Sequence, residues 1–190
     1  MIPELLLACA PHVAPATLEA VIRVESGGNP LAVNVNGLPV QPPPAADAAG
    51  AARTALSYIQ RGFSVDIGLM QVNSRNLAAL GMTVERVFDP CANIQAGAAI
   101  LTARYADAAR RQGEGQAALR AALSAYNTGD FVRGFGNGYV ARYYGHGGVP
   151  ALAGGVREAA APARTPPAPL NPHTAGTSVF AREADDAAAE

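Results

Sequence analysis

Val24-Glu25-Ser26-Gly27-Gly28-Asn29-Pro30 places a carboxylate at the end of an apolar helix, with a glycine stop directly after it. The spacing predicts that helix over residues 14–26, with Pro15 in its first turn and Gly27 at its C-terminal cap. Leu18, Val21 and Ile22 recur at helical spacing and mark the buried face. Glu25 stands three residues after Ile22, four after Val21 and seven after Leu18, so it continues the apolar face. A carboxyl group there is expected to be partly desolvated, which disfavours its ionised form and raises its pKa. A general acid working near neutral pH needs that shift. The alternative is a solvated acid in the last turn, which the helix dipole opposes only mildly.

Working outward, 190 residues allow one domain of ordinary size and a tail. Hydrophobic residues make up 49%, enough for a core, although much of this is alanine. Net charge is −1 and lysine is absent, so a nucleic-acid surface, which needs clustered basic charge, is not expected. No apolar run reaches the length of a membrane span. The stretch Leu5-Leu6-Leu7-Ala8-Cys9-Ala10 is short for a signal core and no basic residue precedes it, so it reads as a first helix. The two cysteines, Cys9 and Cys91, are compatible with one disulfide or with two buried thiols. A bridge would close a long loop and stabilise by roughly 2–4 kcal/mol.

Val33-Asn34-Val35-Asn36-Gly37 alternates and carries an Asn-Gly pair, so it reads as a short hairpin or extended loop. A helix is expected over residues 45–61, then a short extended piece at 63–66. Asn73 can cap a helix running through Leu80 to a stop at Gly81. Asp89-Pro90 is a good N-cap and N1 pair for a long helix to about Gln112, with Cys91, Ile94, Ala98, Leu101, Tyr105 and Ala108 as its inner stripe. A further helix is expected from about Gln116 to Tyr126, and a last one over 139–144. After that the periodicity is lost and Ala, Pro, Gly and Thr dominate. The organisation is a domain over 1–146 and a disordered tail over 147–190.

Three separated segments can carry chemistry: Glu25-Ser26, the run from Asp66 to Asn73, and Ala125-Tyr126-Asn127. His12, His146 and His173 are isolated and no metal-ligand spacing occurs, so neither metal nor cofactor is expected. No Gly-x-Ser-x-Gly elbow supports serine hydrolase chemistry. An acid in an apolar setting, a second carboxylate and many neutral hydrogen-bonding groups suit a carbohydrate site. Tyr126, Tyr139, Tyr143 and Tyr144 could pack on sugar faces. The alternative is that Gln71 and Asn127 only cap helices and that the tyrosines belong to core or surface.

Glu25-Ser26-Gly27-Gly28-Asn29-Pro30, Gly68-Leu69-Met70-Gln71-Val72-Asn73, Asp89-Pro90-Cys91-Ala92-Asn93-Ile94-Gln95-Ala96-Gly97-Ala98 and Ala125-Tyr126-Asn127-Thr128-Gly129 occur in that order. Together they resemble the lysozyme-like lytic transglycosylases, most closely the VirB1-like enzymes of type IV secretion and conjugation. Cys9 and Cys91 fit that subgroup's cysteine pattern. The resemblance covers roughly residues 9–145. It implies a mainly α, α+β lysozyme-like fold of the goose-lysozyme type, with a small extended segment beside a peptidoglycan cleft. It implies Glu25 as the catalytic acid and later base, forming a 1,6-anhydro-muramoyl product. It further implies that Ser26 orients Glu25 or the substrate, that Met70, Gln71 and Asn73 line sugar subsites, and that Tyr126 and Asn127 hold Glu25 and the substrate acetamido group. The implied partners are peptidoglycan strands and, through the tail, secretion-system components. The implied location is the periplasm.

Asp66 departs from the simple form of that pattern. Standing before Ile67-Gly68-Leu69-Met70-Gln71-Val72-Asn73-Ser74-Arg75, it also resembles the second catalytic carboxylate of animal c-type lysozymes. Asp66 facing the cleft would stabilise positive charge at C1 or support hydrolysis; otherwise it hydrogen-bonds its local turn. The function alternatives are therefore a lytic transglycosylase, a lysozyme-type hydrolase using Glu25 and Asp66, and a non-catalytic peptidoglycan-binding assembly module.

Overall fold

Short runs of helix and strand alternate in the computed structural model, which describes residues 3–144. They are α1 (Pro3–Cys9), α2 (Pro15–Ser26), β1 (Val33–Val35), α3 (Ala48–Gln60), β2 (Val65–Ile67), β3 (Val72–Asn73), α4 (Pro90–Gln112), α5 (Gln116–Thr128) and α6 (Arg133–Gly136). Single 3₁₀ turns lie at Ser74–Asn76, Arg86–Phe88 and Val140–Arg142. The chain is mainly α with one small antiparallel sheet, as its sequence leads one to expect. The tail expected over 147–190 lies outside the described residues, with His146 and His173. Among the described residues no helix is long and apolar enough to cross a membrane. Of the described residues, 3–9 with Val21–Ala98 form one unit, and Ala10–Ala20 with 99–144 form another.

In the first unit, α1 buries Leu6 and Cys9, three residues apart on one face, and leaves Leu5 and Leu7 exposed. Cys9 and Cys91 form a disulfide, with Cα atoms 5.2 Å apart, which ties α1 to the first turn of α4. The sheet has the order β1-β2-β3. Its register sets Asn34 opposite Asp66 and Asp66 opposite Asn73, while Val33 and Val72 both pair with Ile67. Successive side chains alternate between faces. Val35, Val65, Ile67 and Val72 therefore go to the core, and Asn34, Asp66 and Asn73 share the opposite face.

Local differences from the expected elements have physical causes. The stretch 33–37 is no hairpin by itself: β1 pairs with β2, about thirty residues away, in a register that buries Val35 with Val65 and Ile67. Helix α3 starts at Ala48, since Asp47 is its N-cap and accepts from Gly50 N at 2.6 Å. Its alanines Ala51, Ala52 and Ala55 are buried. Asn73 does cap, accepting from Arg75 N at 3.0 Å, but the chain beyond it forms a 3₁₀ turn over Ser74–Asn76 and then further turns. Among residues 74–80 only Leu77 is buried, so no apolar face exists to hold an α-helix there. Asp89 behaves as the N-cap of α4, accepting from Ala92 N at 2.8 Å.

In the second unit, Leu101, Tyr105 and Ala108 of α4 and Ala118, Leu119, Ala122 and Leu123 of α5 are buried. Gly129 adopts a left-handed φ of 73° and closes α5 by donating its N–H to Ala125 O. The glycine-rich stretch after it contains α6, which its apolar spacing does not predict. Asp130 precedes it, and its Oδ1 accepts from Val132 N and Arg133 N at 2.8 Å each, which holds the chain entering the helix. These two bonds hold the Asp130 carboxyl below its ordinary range. Gly134 lies flat on α5: its N–H donates to Ser124 Oγ at 2.8 Å, and a Cβ would sit 2.7 Å from Ser124 Cα. The last expected helix is reduced to the 3₁₀ turn Val140–Arg142.

Candidate active site

Glu25 occupies the last turn of α2, half-buried, after the buried Val21, Ile22 and Val24. Ser26 beside it has a structural role. Its hydroxyl lies 2.7 Å from Leu69 O and 3.2 Å from Ile22 O, and it accepts from Gly28 N at 3.2 Å. The single hydroxyl proton goes to the shorter contact. The end of the helix bearing Glu25 is thereby fastened to the turn between β2 and β3.

That turn, Gly68-Leu69-Met70-Gln71, is held at every residue. Gly68 N donates to Ala32 O at 2.8 Å, and Gly68 O accepts from Gln71 N at 3.2 Å and from Gln71 Nε2 at 2.9 Å. Leu69 O accepts from Ser26, and Met70 N donates to Asn93 Oδ1 at 2.8 Å. Gln71 has φ of +49°, unique among the described non-glycine residues. A left-handed non-glycine residue costs about 1–2 kcal/mol, so the surrounding bonds over-determine it. The Gln71 side chain folds back with its Nε2 on Gly68 O, and Oε1 receives no hydrogen bond among the described residues.

Two α4 residues meet this turn, and they stand four apart, on one helix face. Asn93 is buried and donates to Ile67 O and Val87 O at 2.9 Å each while accepting from Met70 N. Gly97 leaves room for Met70: a Cβ there would lie 2.6 Å from Met70 Cβ and Sδ. Gly68, with φ of +74°, is required twice, since a Cβ would also fall on the Asn93 carboxamide.

On the polar face of the sheet, Asp66 is half-buried and faces three side-chain amides. Asn73 Nδ2 donates to Oδ1 at 2.6 Å, Asn36 Nδ2 to Oδ2 at 2.9 Å, and Asn34 Nδ2 lies 3.5 Å from Oδ2. Asn73 is also bonded to Ser64 Oγ and Arg75 N, so its polar atoms are engaged within this unit. The structure thus brings Glu25, Ser26, Asp66, Met70, Gln71 and Asn73 into one unit, and Tyr126 and Asn127 into the other. Tyr126 is half-buried and Asn127 exposed at the end of α5. Among the described residues no group of His, Cys, Asp or Glu could hold a metal.

Two of the four tyrosines suggested for sugar packing are core residues. Tyr143 is fully buried and Tyr139 nearly so; their rings meet edge to face, with hydroxyls 2.7 Å apart. Tyr144 donates to Gln116 Oε1 at 3.1 Å and packs against Arg120, and burial pushes its phenol up to about 12. Sequence reasoning missed Asn34, Asn36 and Asn93 as participants. The alternation Val33-Asn34-Val35-Asn36 held the signal for the first two, and the spacing of Asn93 and Gly97 the signal for the third.

The family model described as Transglycosylase SLT domain matches residues 6–141. Protein virB1 of Agrobacterium fabrum is 44% identical over 134 residues, covering 70% of this chain and 53% of that protein. Type IV secretion system protein virB1 of Brucella abortus is 44% identical over 139 residues, covering 71% and 58% respectively. The chain spans somewhat over half the length of the curated relatives it matches. No solved structure matches it. With the family model spanning nearly all the described residues, the chain belongs to the transglycosylase SLT domain family.

Proposed function

We propose that the chain is a peptidoglycan lytic transglycosylase with Glu25 as its catalytic residue. The observation that carries this reading is the Ser26 Oγ to Leu69 O bond of 2.7 Å, which fixes the end of α2 to the turn that presents Gln71. Glu25 first donates its proton to the oxygen between N-acetylmuramic acid and N-acetylglucosamine, and the C1–O bond breaks. The resulting carboxylate then takes the proton of the muramoyl C6 hydroxyl as that oxygen attacks C1 and closes the 1,6-anhydro ring. No water is consumed and Glu25 ends protonated, ready for another cycle. Gln71 is proposed to hold the glycan through a neutral polar group suited to hydroxyls and acetamides, while Met70, fully buried, supports the turn from beneath.

A periplasmic site of action is proposed from the substrate. The Cys9–Cys91 disulfide supports it, because such bonds persist in oxidising compartments. The type IV secretion name of the Brucella relatives supports a role in opening the wall locally for such an apparatus. Residues 1–146 are proposed as the catalytic domain and 147–190 as the segment that meets partners.

A second reading has its own support. The three amides around Asp66 hold a second carboxylate in one orientation. A fixed anion of this kind can stabilise positive charge at C1 and favour attack by water. Mass spectrometry of products from purified peptidoglycan separates the two. Anhydro-muramic ends that vanish in Glu25→Gln support the transglycosylase. Reducing ends that vanish in Asp66→Asn support the hydrolase. No products from the native protein would sink both.

A further inference from the structure

We propose that Asn93, in the first turn of α4, is a positioning residue for glycan recognition: its carboxamide holds the β2–β3 turn so that left-handed Gln71 offers a free Oε1 to a sugar hydroxyl or acetamido N–H. This rests on the reading that Gln71 lines the glycan site. Three observations carry it. Asn93 is 1% exposed and commits its amide to three backbone partners, Ile67 O, Val87 O and Met70 N. Two of these flank Gly68-Leu69, so one side chain spans the start of the turn and its third residue. The residue immediately after the last bond is Gln71, whose φ of +49° an unconstrained glutamine would leave.

The geometry also fixes what Gln71 can bind. Its Nε2 faces Gly68 O, a carbonyl, so that atom must be the amide nitrogen and the other the oxygen. The outward group is therefore an acceptor. It suits a donor on the ligand, which sugar hydroxyls and N-acetyl N–H groups supply and which carboxylates of the stem peptide do not. Leu69 O is already taken by Ser26. Asn93 and Ser26 thus hold the same turn from α4 and α2, and Asn93 acts on substrate only through Gln71.

The test uses soluble glycan strands freed of stem peptides, with native protein, Asn93→Ala and Gln71→Ala. Asn93→Ala is expected to raise KM about tenfold, with kcat within threefold, and Gln71→Ala to raise KM by a similar factor. The double variant is expected to be no worse than either single one. A residue that merely stabilised the fold would lower the active fraction, hence kcat, and leave KM unchanged; that result overturns the proposal. Should Asn93→Ala fail to fold, hydrogen exchange at the Met70 amide of the native protein decides. Strong protection supports the clamp, and exchange at the rate of an open amide overturns it. This exchange measurement needs no turnover, so failure of the clamp and failure of the transglycosylase reading are told apart.

Discussion

Asn73 stands directly opposite Asp66 across β2 and β3, and its Nδ2 donates to Asp66 Oδ1 at 2.6 Å. The same side chain caps the adjoining 3₁₀ turn through Arg75 N and bonds Ser64. Asn73 therefore joins three pieces of chain, whereas Asn36 gives Asp66 one exposed bond and Asn34 a contact at the limit of hydrogen bonding.

The alanine variants should rank accordingly. Asn73→Ala is expected to cost about 1–2 kcal/mol, from a lost cap and a lost bond to a carboxylate. Asn36→Ala should cost less than about 1 kcal/mol, and Asn34→Ala close to nothing. Urea unfolding of each variant, alone and combined with Asp66→Asn, measures the ranking. Additive losses at Asn73 and Asp66 would mean that their bond contributes nothing.

Gly97→Ala tests the approach of α4 to the turn. A methyl group there would lie 2.6 Å from Met70 Cβ and Sδ, in a buried position. Overpacking of this kind costs about 1–3 kcal/mol. Met70 Sδ can swing aside but Cβ moves only with the backbone of its turn, so the expected result is a lowered Tm and a shifted Met70 methyl resonance. An unchanged resonance would show that α4 does not press on Met70.

Local patterns made much of this legible in the sequence. Helical spacing located α2, α4 and α5, and the Asp89 cap located the start of α4. Helix α6 was not legible, because it forms where Gly134 N–H donates to the Ser124 hydroxyl and lies close against α5, which no periodicity records. The sheet was hidden for a different reason. Strands of two or three residues carry little pattern, and β1 finds β2 only across a long stretch of chain. Asp66 was legible as a candidate, but its cage required that pairing. Asn93 was visible only as part of a motif; its role depends on three backbone groups that the fold brings to it.

The Cys9–Cys91 bridge spans a sequence separation of 82, and in the chain-entropy account a loop of that size stabilises by roughly 4 kcal/mol. Reduction, or Cys9→Ser with Cys91→Ser, should lower the urea midpoint by a corresponding amount. Glycan cleavage at low temperature should survive, since the turn carrying Gln71 is held by Ser26 and Asn93 through bonds in which neither cysteine takes part. A midpoint unchanged by reductant would mean that the packing of Leu6 is enough to hold α1.

The phenol of Tyr144 gives the fold an alkaline edge. Its pKa is raised to about 12 from an ordinary 10.0, with burial as the main cause and the Arg120 charge opposing it. The folded state therefore keeps this proton at pH values where the unfolded chain has released it. The contribution to stability is fully present below pH 10 and declines as pH rises from 10 to about 12. Tyr144→Phe should remove that slope, since phenylalanine has no proton to lose, while forfeiting the bond to Gln116. Urea midpoints measured from about pH 9 to about pH 11.5 test this: the native protein should fall more steeply than Tyr144→Phe above pH 10. Parallel curves would mean that the Tyr144 hydroxyl titrates as it does in water, and that the turn Val140–Arg142 does not hold it against α5.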